Sequence, residues 1–372
     1  MRIVIVGAGI AGMATAWALT KAGHAVTLVE QAPALPNPLA ASGDHHRLIR
    51  RAYGGADGYA LMMDEAYEAW EALWADLGVS HYEETGILAT CLREGDAADA
   101  MRAGLDRLGT PYERLSPADA AERFPYLDAQ SLAYAVLTPD GGVLMSREIA
   151  HDLCAWLVAN GVALRLDTRA VRIDVDAGRV ETEAGEVFEG DRVVVGAGAW
   201  ALSLLPCLAD ALTSYRTYVA YLHPPADLRA AWATAPGFVS TGGLIDGYVL
   251  PPVRGAGLKI GAAFTKTATT DPSSGRGTTQ EEGEILRDAF APPFARIAEY
   301  GIREVVSCVY TFTADERFLS RRIGRTLVVS ACSGHGYKFG AAVGRRVAAA
   351  VESDGADALA AWLAGEAPRA VA

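Results

Sequence analysis

The first thirty residues constrain the fold most, because a glycine-rich turn lies there between two short apolar runs. Arg2–Val6 is rich in β-branched residues and is typical of a buried parallel strand. Three glycines follow at the G-x-G-x-x-G spacing, and a helix is expected from there to Gly23. A second apolar run, Ala25–Val29, ends at Glu30. The order strand, turn, helix, strand predicts a βαβ unit.

The three glycines match the positions that a dinucleotide-binding βαβ unit requires. Gly7 allows the tight turn, Gly9 lets the backbone approach a pyrophosphate, and Gly12 lets helix and strand pack closely. The first N–H groups of the helix attract phosphate, and Glu30 can accept hydrogen bonds from a ribose. A glycine-rich helix start without a ligand is the alternative, and the complete strand–turn–helix–strand context argues against it. The predicted dinucleotide-binding residues are Gly7, Gly9, Ile10, Ala11, Gly12 and Glu30.

The composition limits partners and compartment. The chain has 372 residues, enough for two domains, and its net charge of −12 argues against nucleic acid or an anionic membrane as a partner. No run is long enough to span a bilayer, and the glycine-rich turn explains the apolar residues 1–20 better than a signal peptide does. The five cysteines show no C-x-x-C spacing, so neither disulfides nor zinc are expected, and no histidine pattern indicates another metal. The expected compartment is the reducing cytoplasm.

The order of predicted elements indicates an α/β fold with two domains. The α/β pattern of the opening returns at the end of the chain, whereas long stretches between them are typical of antiparallel strands. This predicts a Rossmann-like dinucleotide-binding domain with an inserted antiparallel-sheet substrate domain, an α+β two-domain arrangement. The first domain is expected in three pieces, 1–79, 141–211 and 318–372. The substrate domain is expected over 80–140 and 212–317.

Two local predictions concern the segment that joins these domains. Residues 81–90 are typical of a strand. Residues 57–78 predict an amphipathic helix. The apolar residues expected on one side of that helix are Leu61, Ala66, Trp70, Leu73 and Trp74.

Five further motifs carry a family resemblance. They are RLIRRAYG at 47–54, GAGAW at 196–200, GLKIG at 257–261, CVYTFTADERF at 308–318 and SGHGYKF at 333–339. With the opening turn, they resemble the flavin-dependent amine oxidases of the D-amino-acid-oxidase superfamily, in the branch of monomeric sarcosine oxidase and N-methyltryptophan oxidase. The resemblance extends over nearly the whole chain. It implies that the dinucleotide is FAD and that the protein is a flavin-dependent amine or amino-acid oxidase.

Cys308 has two interpretations. A cysteine in an apolar strand is typical of a small buried core residue. The resemblance implies instead a thioether between Cys308 and the 8α carbon of the flavin. The other four cysteines lack this context and are expected to be core or surface residues.

The resemblance also gives roles to two cations near the ends of the matched motifs. Arg50 and Lys338 are expected to bind the carboxylate of the substrate, Arg as a planar fork and Lys as a point charge. Arg47 is expected on the flavin side of the site. Surface charge or an ion-pair network is the alternative for these arginines, and it is the interpretation preferred for Arg51.

Lysine is rare in this chain, which makes Lys259 conspicuous. The four lysines are Lys21, Lys259, Lys266 and Lys338. Lys259 stands in an apolar, glycine-rich run where a surface lysine would be unusual. The resemblance assigns it the cation that stabilises negative charge as O₂ takes its first electron. The alternative is an edge-strand lysine that faces solvent.

The remaining site residues follow from the same resemblance. Tyr248 and Tyr310 are expected on the substrate side, with an ordinary core tyrosine as the alternative. His335 is either a donor behind the site or a turn residue. The predicted catalytic residues are Lys259, Arg50 and Lys338. The predicted flavin-binding residues outside the opening turn are Arg47, Gly198, Trp200, Cys308, Gly334, Gly336 and Lys338.

Together these features favour an FAD-dependent oxidase of a secondary, N-methyl or cyclic α-amino acid. The flavin would take a hydride from the carbon that bears nitrogen, and O₂ would be reduced to H₂O₂. Ala263 stands where sarcosine oxidase has a histidine, which favours a bulkier or cyclic amine. The alternatives are oxidation of a cyclic imino-acid intermediate in secondary metabolism, an FAD-dependent NAD(P)H monooxygenase, and a non-catalytic nucleotide-binding module. The expected partners are the small substrate and O₂, and a monomer is expected.

Overall fold

A computed structural model describes residues 1–242 and 245–366; residues 243–244 and 367–372, which belong to the predicted ranges 212–317 and 318–372, lie outside the described residues. The strands are β1 (Arg2–Val6), β2 (Ala25–Val29), β3 (Arg47–Ile49), β4 (Tyr82–Glu84), β5 (Ile87–Cys91), β6 (Glu113–Leu115), β7 (Tyr134–Thr138), β8 (Gly142–Leu144), β9 (Ala163–Arg165), β10 (Ala170–Asp174), β11 (Arg179–Thr182), β12 (Val187–Glu189), β13 (Arg192–Val195), β14 (Thr213–His223), β15 (Gly237–Val239), β16 (Gly247–Leu250), β17 (Leu258–Ala262), β18 (Thr267–Ala268), β19 (Gly301–Phe312), β20 (Leu319–Ile323) and β21 (Thr326–Ser330). The helices are α1 (Ile10–Lys21), α2 (Asp57–Leu77), α3 (Ala97–Leu108), α4 (Pro117–Arg123), α5 (Ser146–Ala159), α6 (Ala201–Leu204), α7 (Arg229–Trp232), α8 (Gln280–Asp288), α9 (Gly340–Ser353) and α10 (Ala356–Leu363).

The apolar opening strand β1 lies inside a six-stranded sheet of order β20-β21-β13-β1-β2-β9. Residues 3–6 are buried, as expected for a parallel strand that is covered on both faces. β1 pairs in parallel with β2 and β13, so that Val6 lies opposite Val29 and Val195. The carboxyl ends of these strands therefore meet at one edge of the sheet, which is the usual position of a ligand site in such folds.

The second large sheet has the order β18-β14-β17-β16-β15-β5-β7-β6, and β19 also pairs with β14. Its longest pair is the antiparallel pair β14–β19 at one end of the sheet, which runs from Thr213 opposite Phe312 to His223 opposite Gly301 with a register shift between Tyr221 and Leu222. One pair, β15 with β5, is parallel, so the sheet is largely rather than wholly antiparallel. All its strands fall within 80–140 and 212–317. The division of the chain into domains at these boundaries stays a prediction.

A small sheet of order β3-β8-β4 changes one local prediction. Residues 81–90 are not one strand, because β4 pairs with β8 in this small sheet while β5 joins the large antiparallel sheet. Gly86, at φ +72°, lies at the change of direction between them. The turn separates two strands that the sequence pattern presents as one.

Helix α2 confirms the predicted amphipathic helix except at one residue. Ala66, Trp70, Leu73 and Trp74 are buried, whereas Leu61 is 49% exposed. The step from Leu61 to Ala66 is five residues, which turns the side chain well away from the face that the other four share. The prediction for Leu61 was therefore wrong. None of the helices within the two described ranges is long and apolar enough to cross a membrane.

Candidate active site

The glycine-rich turn lies at the carboxyl end of β1 and opens α1. Gly7 has φ +101°, and a Cβ on it would lie 2.6 Å from the carbonyl oxygen of Gly196. A Cβ on Gly12 would collide with the carbonyl oxygen of Gly7. By contrast, the nearest atom to a Cβ on Gly9 would be Ser42 Oγ at 3.5 Å. Packing thus requires the first and third glycines, whereas the second leaves space at the helix N-terminus.

Glu30 lies at the end of β2 and is buried. Its Oε2 accepts a hydrogen bond from the Ala8 N–H (2.8 Å), and its Oε1 accepts from the Ala32 N–H (2.9 Å) and from Asn37 Nδ2 (3.1 Å). An ionised carboxylate accepts about four hydrogen bonds, so capacity for a further donor remains. Glu30 therefore also organises the loop that follows β2, a function that its position in the motif did not predict.

A cleft of about 540 Å³ opens beside this loop. Its lining includes Gln31, Asn37, Thr168, Trp200 and Ser273. Trp200 Nε1 donates to Ser273 Oγ at 2.9 Å, which fixes the indole at the rim.

The central cavity, of about 450 Å³, lies between the two large sheets. The predicted site residues that line it are Ile10, Arg47, Arg50, Tyr248, Lys259, Tyr310, Gly334, Gly336 and Lys338, and Ala263 lines it too. Ala11, Gly198 and Cys308 are not among its lining residues. Segments that are up to about three hundred residues apart in the sequence thus line the same cavity.

Arg50 and Lys338 line this cavity and form no ion pair among the described residues; Asp246 also lines the cavity, and its carboxylate acts on Arg50 from a longer distance. Arg50 Nη1 is buried with no hydrogen-bond acceptor, and its guanidinium lies 4.4 Å from the centre of the Tyr53 ring. Lys338 Nζ donates to the Tyr53 hydroxyl (3.0 Å) and to the His335 carbonyl oxygen (2.7 Å). Burial lowers the pKa of Arg50, and burial together with the Arg50 charge lowers the pKa of Lys338 well below its ordinary value. An anion in this cavity would relieve both penalties.

Tyr53 connects Lys338 to His335 in a chain of hydrogen bonds with a fixed direction. His335 Nε2 lies 3.0 Å from the carbonyl oxygen of Glu316 and must donate to it. Burial and the Lys338 charge lower the pKa of His335 to about 3, so the ring is neutral and Nδ1 accepts from the Tyr53 hydroxyl at 3.3 Å. The Tyr53 oxygen is then free to accept from Lys338. His335 lines the cavity and supports the Tyr53 hydroxyl, and the choice between its two predicted roles stays a prediction.

The other cation pair, Arg47 and Lys259, shares the carboxylate of Asp44. Asp44 is fully buried and forms ion pairs with Arg47 Nη1 (2.9 Å) and with Lys259 Nζ. It also accepts a hydrogen bond from the Tyr221 hydroxyl. Burial alone would raise the pKa of Asp44, but the cations of Lys259 and Arg47 hold it well below its usual range. Burial lowers the pKa of Lys259 to about 8, although the Asp44 carboxylate opposes this shift.

Cys308 is completely buried on β19, opposite Thr217 of β14. Burial and the Asp44 carboxylate raise the pKa of its thiol, and the charges of Arg47 and Lys259 oppose this. Arg51, by contrast, points away from the cavity to ion pairs with Asp64 and Asp140, as expected for a surface cluster.

Two residues of the site were missed by sequence reasoning. Asp44 stands in a polar segment, SGDHHRLIRR, in which only the arginines were singled out. The only feature of the sequence that indicated an ion pair was the position of Asp44 three residues before Arg47. Tyr53 stands inside the matched RLIRRAYG motif, but nothing in the motif indicates that its hydroxyl meets Lys338. The described part of the chain contains no cluster of three or more histidine, cysteine or acidic residues that could hold a metal ion.

The fold and the site indicate the class of protein: a dinucleotide-binding protein with a cavity lined by basic residues at the edge of its parallel sheet. Comparison with protein families specifies the class, because residues 2–350 match the DAO family, described as FAD dependent oxidoreductase. The chain belongs to this family of FAD-dependent oxidoreductases.

Known relatives agree with this assignment. The chain is 28% identical to monomeric sarcosine oxidase of Bacillus sp. (strain B-0618) over 92% of this chain and 90% of that protein. It is 25% identical to N-methyl-L-tryptophan oxidase of Yersinia pestis (strain Pestoides F), over 92% of each. NikD, described as an unusual amino acid oxidase essential for nikkomycin biosynthesis, has a similar fold, with a TM-score of 0.81, 21% identity, and coverage of 100% of this chain and 98% of NikD. The predicted α/β fold, family and class of flavin-dependent amine or amino-acid oxidase are confirmed.

The residues present fit FAD. The space at Gly9 and the N-terminus of α1 suit a pyrophosphate, and Glu30 retains capacity for a ribose hydroxyl. The cleft beside Trp200 suits the adenosine end, and the central cavity suits a flat, largely apolar ring with polar edges. The residues that would hold the ring include Ile10 of α1 and Arg47 of β3, which both line the cavity.

Proposed function

We propose that this protein is an FAD-dependent oxidase of a secondary, N-methyl or cyclic α-amino acid. When bound, FAD supplies the redox chemistry: it accepts a hydride from the carbon that bears the nitrogen and passes the electrons to O₂, which becomes H₂O₂. The residues of the chain bind and orient the substrate, hold charge near the reaction and exclude water.

The observation that carries the proposal is the cation pair Arg50 and Lys338. Two buried basic side chains in one cavity, neither in an ion pair with a carboxylate among the described residues, favour a ligand that brings its own carboxylate. Arg50 has a free N–H at Nη1, and Lys338 is held in place by Tyr53 and the His335 carbonyl. A carboxylate bound there fixes the α-carbon of an amino acid at one position in the cavity.

The remaining cavity wall suits the rest of such a substrate. Tyr248 and Tyr310 offer aromatic surface, and Ala263 leaves the space that a larger side chain would fill. Lys259 places a positive charge at the wall of the same cavity, and we assign it the electrostatic stabilisation of negative charge in the reaction with oxygen. No acid–base side chain is required if the amine enters neutral.

A peroxide-release screen tests the proposal with matched pairs of compounds. Proline and pyrrolidine, pipecolate and piperidine, and sarcosine and dimethylamine each differ by one carboxylate. We expect peroxide from at least one amino acid, at a far lower KM than its partner amine, and a preference for the cyclic pairs over sarcosine. Consumption of NADPH without amine-dependent peroxide would instead indicate a monooxygenase.

We further propose that Cys308 attaches the flavin through a thioether. Its burial in β19 and its closeness to the charge of Arg47, a residue of the central cavity, support this assignment. Acid precipitation should leave the yellow colour in the pellet, whereas Cys308→Ser should release it to the supernatant. Cys91→Ser is the matched control, because Cys91 is equally buried on β5 and should leave the colour in the pellet. Colour released from the wild-type protein would contradict the attachment.

We also propose that the enzyme acts as a monomer in the cytoplasm, as the sequence favours. Light scattering during size-exclusion chromatography tests the first part. A mass of twice the chain would contradict it.

A further inference from the structure

Asp44 is held in place by hydrogen bonds to uncharged groups in addition to its two ion pairs. Its side chain is completely buried, and it accepts a hydrogen bond from the Tyr221 hydroxyl of β14. Its carbonyl oxygen accepts from Ser146 Oγ at 2.5 Å, at the start of α5. The carboxylate is therefore held rigidly between the two sheets, with Arg47 and Lys259 on its remaining oxygen sites.

The cluster contains one carboxylate and two cations, so its charges do not balance. Arg47 cannot lose its proton in a protein, because guanidinium has a pKa far above the physiological range. Lys259 can, since it is a buried amine beside a second positive charge. If Asp44 were neutral, the pKa of Lys259 would fall further, because burial and the Arg47 charge would act on it without this opposing carboxylate.

We propose that Asp44 is a positioning residue: its carboxylate keeps Lys259 in the ammonium form and holds that ammonium at the wall of the central cavity. The inference goes beyond the proposed function, because it concerns the charge of Lys259 whatever reaction that charge assists. Asp44 acts through Lys259 and does not itself line the cavity.

Other groups that face Lys259 act in the same network. The Tyr248 ring lies 5.7 Å from Lys259 Nζ, and the His46 carbonyl oxygen accepts from Nζ at 3.2 Å. His46 itself is neutral, because burial and the Lys259 charge lower its pKa to about 3. The titratable and charged groups around Lys259 are Asp44, His46, Arg47, Tyr221, Tyr248 and Cys308.

The experiment follows the Lys259 proton directly by NMR of the holoenzyme labelled with ¹⁵N-lysine. The chain has only four lysines, so the Nζ signals can be assigned by loss of one signal in Lys259→Met. We expect the titration midpoint of Lys259 to fall by about one pH unit or more in Asp44→Asn, because an opposite charge in direct contact has been removed. The Lys21 signal, from a surface pair with Asp76, is the internal control and should not move.

Two further variants separate charge from packing. Arg47→Met removes the competing cation and should raise the Lys259 midpoint, which keeps the test decisive if Asp44→Asn does not fold. Tyr221→Phe disturbs the same cluster without changing a charge and should leave the midpoint near its wild-type value. An unchanged or higher midpoint in Asp44→Asn, no rise in Arg47→Met, or a fall in Tyr221→Phe as large as that in Asp44→Asn would overturn the proposal. No substrate or oxygen enters these measurements, so they are independent of the proposed oxidase activity.

Discussion

The central cavity contains two arginine–lysine pairs that differ by one carboxylate. Arg47 and Lys259 share Asp44, which is buried with them. Arg50 and Lys338 form no ion pair in the described part of the chain: their direct contacts are the ring and hydroxyl of Tyr53 and the His335 carbonyl, and the Asp246 carboxylate acts on Arg50 only from a longer distance. Both arginines come from one tetrapeptide, 47–50, and both lysines from distant segments.

This difference explains how similar residues can have different functions in one cavity. A cation pair with an internal counter-ion keeps its charge and its place in the absence of ligand. A cation pair without one is destabilised by burial, and a ligand carboxylate supplies the missing partner. Positive charge at one end of the cavity is therefore stabilised by a carboxylate of the protein, and at the other end by the carboxylate of the substrate.

The largest expected effect comes from removing a member of the second pair. Arg50→Ala, and separately Lys338→Met, should raise KM for an amino-acid substrate by about 30-fold to several thousand-fold, since loss of one partner of a desolvated charged pair costs about 2–5 kcal/mol. KM for the matched amine should change much less. Steady-state peroxide assays on both compounds measure the ratio.

Arg51→Ala is the matched control for this ratio. Arg51 is adjacent in sequence, but its guanidinium forms surface pairs with Asp64 and Asp140. Its removal should leave both KM values near wild type. Equal weakening of amino acid and amine by Arg50→Ala would mean that the carboxylate binds elsewhere.

The pair of Arg47 and Lys259 should affect the reaction with O₂ rather than the binding of substrate. Lys259→Met should slow reoxidation of the reduced flavin by O₂ by about 100-fold or more. Negative charge develops on O₂ in this step, and loss of one preorganised positive charge from a buried site lowers the rate by about that factor. Stopped-flow reduction by substrate under anaerobic conditions should change far less. Lys21→Met serves as control, and an equal loss in both half-reactions would indicate a structural role for Lys259.

Tyr53→Phe should have a smaller effect of the same kind as Arg50→Ala. The variant keeps the ring under Arg50 but removes the acceptor for Lys338, and a hydrogen bond to a charged group corresponds to about tenfold in KM for the amino acid. Turnover of the matched amine should stay near wild type. Tyr67→Phe, which removes a buried hydroxyl beside Arg51, is the control. A loss on the amine as large as on the amino acid would argue against a role at the carboxylate.

The sequence predicts the first βαβ unit in detail because its information is local. Gly12 packs against Gly7 within the same turn, Gly7 has a positive φ and also packs against the remote Gly196, and the structure agrees with each predicted bound of β1 and β2. The exposed Leu61 shows the limit of local reasoning, since an apolar residue alone does not define a helix face.

The site was predictable only in part, because its decisive contacts join remote segments. Asp44 meets Lys259 and Tyr53 meets Lys338 only after the two sheets and the C-terminal turn come together. Residue charge and the matched motifs predicted Arg50, Lys259 and Lys338 as binding or catalytic residues. They predicted Arg47 on the flavin side of the site. No pattern in the sequence indicates which arginine–lysine pair has an internal carboxylate. The presence of that carboxylate is what distinguishes the functions of the two pairs.

The protonation of Lys338 tests the central claim most directly. Burial and Arg50 lower its pKa in the free enzyme, and a bound carboxylate should raise it, so binding should take up a proton at pH values between those two pKa values. Affinity should fall as pH rises through this window, by at most about tenfold per pH unit. Cyclopentanecarboxylate is a suitable ligand, because it has no amine and stays ionised above about pH 6.

Titration calorimetry of the holoenzyme with cyclopentanecarboxylate, in two buffers of different ionisation enthalpy, measures this proton. We expect net uptake by the wild-type protein, with none by Lys338→Met and weaker binding in that variant. Binding without proton uptake at every pH, or equal uptake and affinity in Lys338→Met, would contradict the claim that this cation pair is completed by the carboxylate of the ligand.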